Sequence, residues 1–303
     1  MDERIAIVTG ANVGLGFETT RALANAGYHV VMACRNQAKA ERARESLLVE
    51  NESRQLTLMP LDVSEPESIA QFAQQYSATF ASLNLLVNNA GIIGVPLTRN
   101  SVGHELLLAT NYLGVFALTA RLLPCFDHAV GGRIVNVGSL IHRFGRMPIK
   151  DLNFDRTPHN VWKAYTQSKL ALMSHTLELG RRLSEVGSAV IVASAHPGFA
   201  DTDIGRKDGM ETEKKGFIRS RIADYMSSRT PTAEASAQPI VLAALSDTVC
   251  SGDYYGPSGF LEIAGPPAKA KINRSAHHRP SAQALWRESE QLCGIDFVID
   301  SRR

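Results

Sequence analysis

The sequence predicts an α/β fold: a single doubly wound parallel sheet with helices on both faces. Three observations carry this expectation. Six short apolar, β-branched runs alternate with helical stretches between residues 4 and 195. A glycine-rich turn follows the first run, between a strand and a helix. One long helical stretch, residues 160–182, has Leu170, Leu172, Leu177 and Leu179 with Ala164, Ala171 and Met173 at recurring intervals of three and four. The strand runs are apolar without alternation, as expected for strands covered on both faces, and their crossovers are expected to be right-handed.

The chain has 303 residues, long enough to bury roughly three quarters of its unfolded surface without disulfide staples. With 44% hydrophobic and 20% charged residues it has the balance of an ordinary globular protein. A net charge of +2 and the lack of a long Lys/Arg run argue against nucleic acid as a partner. Cys34, Cys125, Cys250 and Cys293 have neither metal-ligand nor redox spacing, and His277-His278 stands alone in a polar segment, so no metal is expected. The chain enters a strand within a few residues of Met1, and no stretch of 18 uncharged apolar residues is seen. A signal peptide and a membrane span are therefore not expected, and a cytoplasmic enzyme is. The organisation expected is one domain over residues 1–303, with a polar, glycine-containing flap at about 199–230 and a C-terminal extension at about 264–303.

Residues 4–9 read as the first strand. Gly10, Gly14 and Gly16 follow, and a helix runs over residues 17–26 to Gly27, a typical helix-terminating glycine. A turn of this kind lets backbone approach a pyrophosphate, while the helix start offers free N–H groups and its positive dipole end. The spacing is G-x-x-x-G-x-G. Residues 28–33 form the second strand. Where a dinucleotide site usually has an acidic residue for the ribose hydroxyls, this chain has Cys34-Arg35-Asn36. A guanidinium can bind a 2′-phosphate that a carboxylate would repel, so NADP(H) is favoured over NAD(H); alternatively Arg35 only caps the strand end.

A helix over 37–50 and a strand over 55–61 lead to Asp62-Val63, where the carboxylate either accepts the adenine amino group or caps the helix that starts around Ser64. A strand at 83–87 ends in Asn88-Asn89-Ala90-Gly91, whose small residues let a cofactor lie against the backbone. The helix expected at 102–126 has Asn111 in its middle, able to bind a backbone carbonyl or to hold a water. The strand at 133–137 ends at Gly138-Ser139, and that at 188–195 at His196-Pro197-Gly198. A helix at 231–245, a weaker strand within 256–263 and a helix at about 282–292 complete the chain.

Tyr165 and Lys169, four residues apart, share one helix face with Cβ atoms roughly 5–6 Å apart. An ammonium beside a phenol, which ordinarily ionises near roughly pH 10, is expected to lower its pKa toward a useful acid or base.

Taken together, Thr9-Gly10-x-x-x-Gly14-x-Gly16, Asp62-Val63, Asn88-Asn89-Ala90-Gly91, Asn111, Ser139, Tyr165-x-x-x-Lys169 and Pro197-Gly198 with Thr202 resemble the short-chain dehydrogenase/reductase family, over residues 4–263. The stretches around Cys34-Arg35-Asn36 and Tyr165-Thr-Gln-Ser-Lys169 are similar to its retinol dehydrogenase and WW-domain oxidoreductase branch. Gly138 stands where many relatives carry a second Ser, a difference expected to matter little.

The resemblance implies a Rossmann-like fold and a catalytic set of Asn111, Ser139, Tyr165 and Lys169. Tyr165 would exchange a proton with the substrate oxygen, and Ser139 would hydrogen-bond that oxygen. Lys169 would hold the nicotinamide ribose, and Asn111 a water extending the proton path. The cofactor would be held by Gly10, Asn12, Val13, Gly14, Leu15, Gly16, Arg35, Asp62, Val63, Asn89, Ala90, Gly91, Tyr165, Lys169, Pro197, Gly198 and Thr202. The implied activity is NADP(H)-dependent interconversion of a secondary alcohol with a ketone or aldehyde, in a homodimer or homotetramer. C=C reduction, epimerisation and a silent NADPH sensor are the alternatives on the same scaffold.

Overall fold

The computed structural model describes residues 3–198 and 231–300. One sheet of eight strands has the order β3-β2-β1-β4-β5-β6-β7-β8. β1 (Ile5–Thr9), β2 (His29–Cys34), β3 (Leu56–Pro60), β4 (Leu85–Asn88), β5 (Gly132–Val137), β6 (Val190–Ala195) and β7 (Tyr254–Pro257) are parallel; β8 (Pro267–Lys269) closes the edge antiparallel to β7. The Rossmann-like doubly wound fold expected from the sequence is therefore present. β8 was not legible: three residues including a proline give no alternation to read.

The period of two in β1 divides the core. Ile5 and Ile7 face one layer, packed with α3 (Pro66–Thr79), α4 (Leu106–Cys125) and α5 (Val161–Glu185). Ala6 and Val8 face the other, packed with α1 (Gly14–Asn25), α2 (Gln37–Glu50) and α6 (Ala233–Leu245). In the two layers Ile7, Val8, Val31 and Leu86 are fully buried, each such side chain contributing about 1.5–3 kcal/mol.

α3 begins at Pro66, within the start read from the sequence, because proline suits the first helical position. Two helices differ from the sequence expectation. α5 runs to Glu185, three residues beyond the 182 expected; Gly180 is where the helix touches Ser251, 3.3 Å from the position a Cβ would take. α4 is long and apolar enough to cross a membrane (20 residues, mean hydropathy 1.5), which the sequence reading did not expect; 83% of that stretch is buried, so here it serves as a core helix. Its middle, Ala109–Leu113, is a π-helical turn centred on Asn111, a distortion that recurs at functional sites. α7 (Arg279–Cys293) lays Leu285 and Trp286 on α4 and α5.

The chain leaves β1 toward β2 and β3, then returns to β4 on the other side of β1. Ligands of open α/β sheets bind at such a switch, at the carboxyl ends of the strands. The loops after β1, β4, β5 and β6 meet there.

Candidate active site

At the switch, Thr9 ties two strands together. Its hydroxyl accepts hydrogen bonds from the backbone N–H of Asn89 (3.0 Å) and Ala90 (2.9 Å), and the Asn89 amide donates to Thr9 O (2.9 Å). Gly10 has φ +65° and Gly14 φ +55°, a region closed to most side chains. A Cβ on Gly16 would sit 2.2 Å from Gly10 O and 2.5 Å from the Asn89 amide, so only glycine lets α1 start this close to the loop. α1 begins at Val13 with no side-chain cap and no acidic residue in its first turn. Its dipole end and free N–H groups, at Gly14, Leu15 and Gly16, fit a pyrophosphate. Behind the loop, the backbone N–H groups of Ala11 and Asn12 point at the Cys34 sulfur, whose thiol burial pushes up to about 11.

Arg35 follows β2 and is 73% exposed; its single partner among the described residues is Asp62, at 3.5 Å. One Asp62 oxygen accepts from the N–H (3.0 Å) and hydroxyl (2.6 Å) of Ser64, so this carboxylate shapes the turn before α3, whose N-cap is Glu65. The helix-capping role read from the sequence is therefore not the one this carboxylate takes. A Cβ on Gly114 would lie 1.8 Å from Val63 O, so α4 rests directly on the Asp62-Val63 turn.

The second half of the site lies where α5 passes the ends of β4 and β5. The Tyr165 side chain is half-buried against Leu107, Phe154 and Ala164, with Ser139 near enough to its phenol to affect its acidity. Lys169 is buried and donates to Val137 O at 2.8 Å. The expectation that the ammonium makes the phenol acidic is not met. Burial raises the Tyr165 pKa above the ordinary phenol value, and the hydrogen bond from Ser139 is what lowers it. The cost of burial falls on the lysine instead, whose pKa drops to about 8.

Asn111 spends its amide on structure. It accepts from Ile92 N–H (2.8 Å) and donates to Ile92 O (3.0 Å) and to Ser168 Oγ (3.1 Å). The carbonyl-binding option read from the sequence is the one the side chain takes, and it ties α4 to the loop after β4 and to α5. A Cβ on Gly91 would sit 3.1 Å from Asn111 Oδ1 and 3.5 Å from Lys169 Nζ, so this small residue keeps the amide, the ammonium and the loop together.

The Pro197-Gly198 turn is held by His196, whose Nδ1 accepts from Gly198 N–H (3.1 Å); its Nε2 then donates to Glu262 (3.1 Å). Burial lowers the His196 pKa to about 4. Thr202 and the flap expected at about 199–230 lie outside the described residues.

Sequence reasoning missed three features. A buried polar chain links Asn88 to Asn136 (2.9 Å), Asn136 to Thr176 (2.9 Å) and Ser194 to Thr176 (3.1 Å), pinning α5 across β4, β5 and β6. Polar residues inside apolar strand runs were its only signal. Gly145 was also overlooked: a Cβ there would meet Thr166 O at 2.5 Å, so glycine lets the loop after Ser139 lie on α5 beside Tyr165. Gly138 is less neutral than expected, because a Cβ there would press on Met173 Sδ (3.2 Å) and Tyr254 Cε2 (3.3 Å).

The comparisons agree with this geometry. Residues 4–213 match the family model described as short chain dehydrogenase. Human retinol dehydrogenase 13 is 33% identical over 295 residues, 97% of this chain and 85% of the relative. A crystal structure of an uncharacterised protein from Mycobacterium Paratuberculosis superposes with a TM-score of 0.79 at 33% identity, covering 98% of this chain and 95% of that one. A Beutenbergia cavernae structure described as an NAD(P)-dependent gluconate 5-dehydrogenase, with NADP bound at low occupancy, gives 0.60 at 26%, covering 80% and 89%. A switch-point cradle shaped for a nicotinamide dinucleotide, with a tyrosine and a lysine one helical turn apart beside it, is thus found in a chain that belongs to the short-chain dehydrogenase/reductase family of oxidoreductases, resembling its retinol dehydrogenase branch.

Proposed function

We propose that the protein interconverts a secondary alcohol and a ketone or aldehyde with NADP(H). The observation that carries this reading is Lys169, buried and donating to Val137 O at the carboxyl end of β5, with Tyr165 one turn earlier on the same helix face beside Ser139.

The nicotinamide, when bound, supplies the hydride chemistry. Gly10 to Gly16 would take its pyrophosphate, Asn89 to Gly91 and Pro197-Gly198 would line its nicotinamide half, and Lys169 would hold ribose hydroxyls. Tyr165 exchanges a proton with the substrate oxygen, and Ser139 donates a hydrogen bond to the same oxygen, stabilising the charge that develops there. Two functional groups aimed at one oxygen fix the carbonyl plane, which is the larger part of what orientation contributes. Asn111 holds the loop after β4 against α5, keeping Lys169 in register with that loop.

NADP(H) is favoured because Arg35 is exposed and its one ion pair among the described residues is long, leaving most of its donors available to a 2′-phosphate. The NADP bound to the Beutenbergia cavernae protein supports the same choice. A cytoplasmic setting is proposed from the four free cysteines, which a reducing compartment would keep as thiols.

The test is Tyr165→Phe assayed for NADPH oxidation over a panel of ketones, aldehydes and enones. We expect turnover to be lost while NADPH still binds. Undiminished turnover in the variant would refute the proton-transfer role, and saturated ketones as the only products from enones would redirect the reading to C=C reduction.

A further inference from the structure

Ser139 sits at the end of β5 in extended backbone (φ −159°), as the N-cap of a short 3-10 turn, Leu140–Phe144. Inside that turn is His142, a fully buried histidine. Both of its ring nitrogens are engaged. Nδ1 lies 2.6 Å from Ser139 O, a pure acceptor, and Nε2 lies 3.1 Å from the backbone nitrogen of Asn273, a pure donor. The two partners fix the tautomer: Nε2 accepts, so the single ring proton is on Nδ1 and is donated to Ser139 O. The ring also stacks edge-on against Tyr254, at 5.3 Å between centroids and 89°.

The C-terminal extension clamps the same turn from outside. The Asn273 side chain donates to Arg143 O (2.8 Å) and to His142 O (3.4 Å). Arg143 in turn donates to Glu262 (2.7 Å) and to Lys271 O (3.1 Å). Gly145 presses the end of the turn onto α5.

We propose that His142 is a positioning residue: gripped by Asn273 of the extension, it holds the Ser139 backbone through Nδ1–H and so sets where the Ser139 hydroxyl points relative to Tyr165. The inference rests on the proposed role of Ser139 in hydrogen-bonding the substrate oxygen. Burial lowers the His142 pKa, in keeping with a ring that stays neutral in this site.

Isosteric substitutions separate this role from packing. In His142→Asn the amide nitrogen stands near the Nδ1 position and keeps the donor to Ser139 O. In His142→Gln the amide reaches the Nε2 position, keeping the link to Asn273 and losing the donor. A small displacement of a substrate-orienting group lowers kcat by roughly tenfold to a hundredfold. We therefore expect His142→Gln to lose about tenfold or more in kcat, with the NADPH Kd unchanged by fluorescence titration, and His142→Asn to stay within about threefold of the parent. Asn273→Pro, tolerated by φ −59° at that residue, removes the N–H to Nε2 together with the side-chain hydrogen bonds to His142 O and Arg143 O, so the whole turn is released and kcat should fall as in His142→Gln.

A readout independent of turnover is the imidazole nitrogen spectrum of the unsubstituted protein, assigned by loss of the signal in His142→Asn. It should show the Nδ1–H tautomer, and an Nε2–H tautomer would overturn the proposal. Equal losses of kcat in the Asn and Gln variants would also overturn it, reducing the residue to packing. Ser139→Ala losing turnover while His142→Gln keeps it would sink the inference alone. Ser139→Ala with full turnover would sink the underlying role of Ser139 as well.

Discussion

The Lys169 ammonium donates to Val137 O, 2.8 Å away at the end of β5, and among the described residues it has no other hydrogen bond. A cation with one neutral acceptor in a buried site is poorly solvated, which is why its pKa falls to about 8. The sign of the linkage follows. The folded state binds this proton less readily than the unfolded chain, so the group costs stability progressively as pH falls from the ordinary lysine value toward 8, and by a constant amount below.

Lys169→Met should therefore abolish turnover and stabilise the fold. The gain should be about 2–3 kcal/mol near neutral pH, on the pKa drop to about 8, less whatever the Val137 hydrogen bond contributed. Thermal unfolding checks it: the Tm of the variant should exceed the parent's by several degrees at pH 7, and the gap should close as pH rises to 10. A gap independent of pH would disprove the assignment of the strain to this ammonium.

Arg35→Asp should exchange the cofactor preference. Losing a charge-assisted pair to a phosphate costs about 1.5–3 kcal/mol, roughly tenfold to a hundredfold in affinity, and the new carboxylate adds repulsion. Binding of NADPH and NADH, measured side by side on parent and variant, decides it. Equal affinities in the parent would contradict the preference itself.

Gly16→Ala should break the cradle between β1 and α1. The added methyl would meet Gly10 O at 2.2 Å, a backbone atom with no rotamer to change. Overpacking of this kind costs about 1–3 kcal/mol. We expect a lower Tm together with weakened dinucleotide binding, whereas a variant with parental Tm and Kd would show that the loop is slack.

His175 should govern part of the acid limb of stability. It is buried among Tyr112, Phe116, Trp286 and Phe297, with no hydrogen bond at either ring nitrogen among the described residues, and burial with Arg182 repulsion lowers its pKa to about 3. The unfolded chain takes up its proton near roughly pH 6.5 and the folded chain does not, so stability present above that value is lost as pH falls toward 3. Each pH unit in that window removes about 1.4 kcal/mol. His175→Phe, which also removes two unsatisfied polar atoms, should flatten unfolding free energy between pH 6.5 and 4. His196, lowered to about 4, leaves a residual slope. An unchanged slope would mean the ring gains a partner on protonation.

Sequence alone determined the alternation of strands and helices and the contents of the switch point. Both are local: apolar runs long enough for strands, glycines where φ must be positive, and a four-residue spacing that puts Tyr165 and Lys169 on one face of a helix. The tertiary structure decided what those side chains spend their polar atoms on. Lys169 turns to Val137, Asn111 to Ile92, Asp62 to Ser64, and Ser139 is gripped through His142 by Asn273, 131 positions beyond that histidine. No local pattern announces such partners. Burial removes water as the alternative, and a buried polar group must then take whichever donor or acceptor the packed neighbours present.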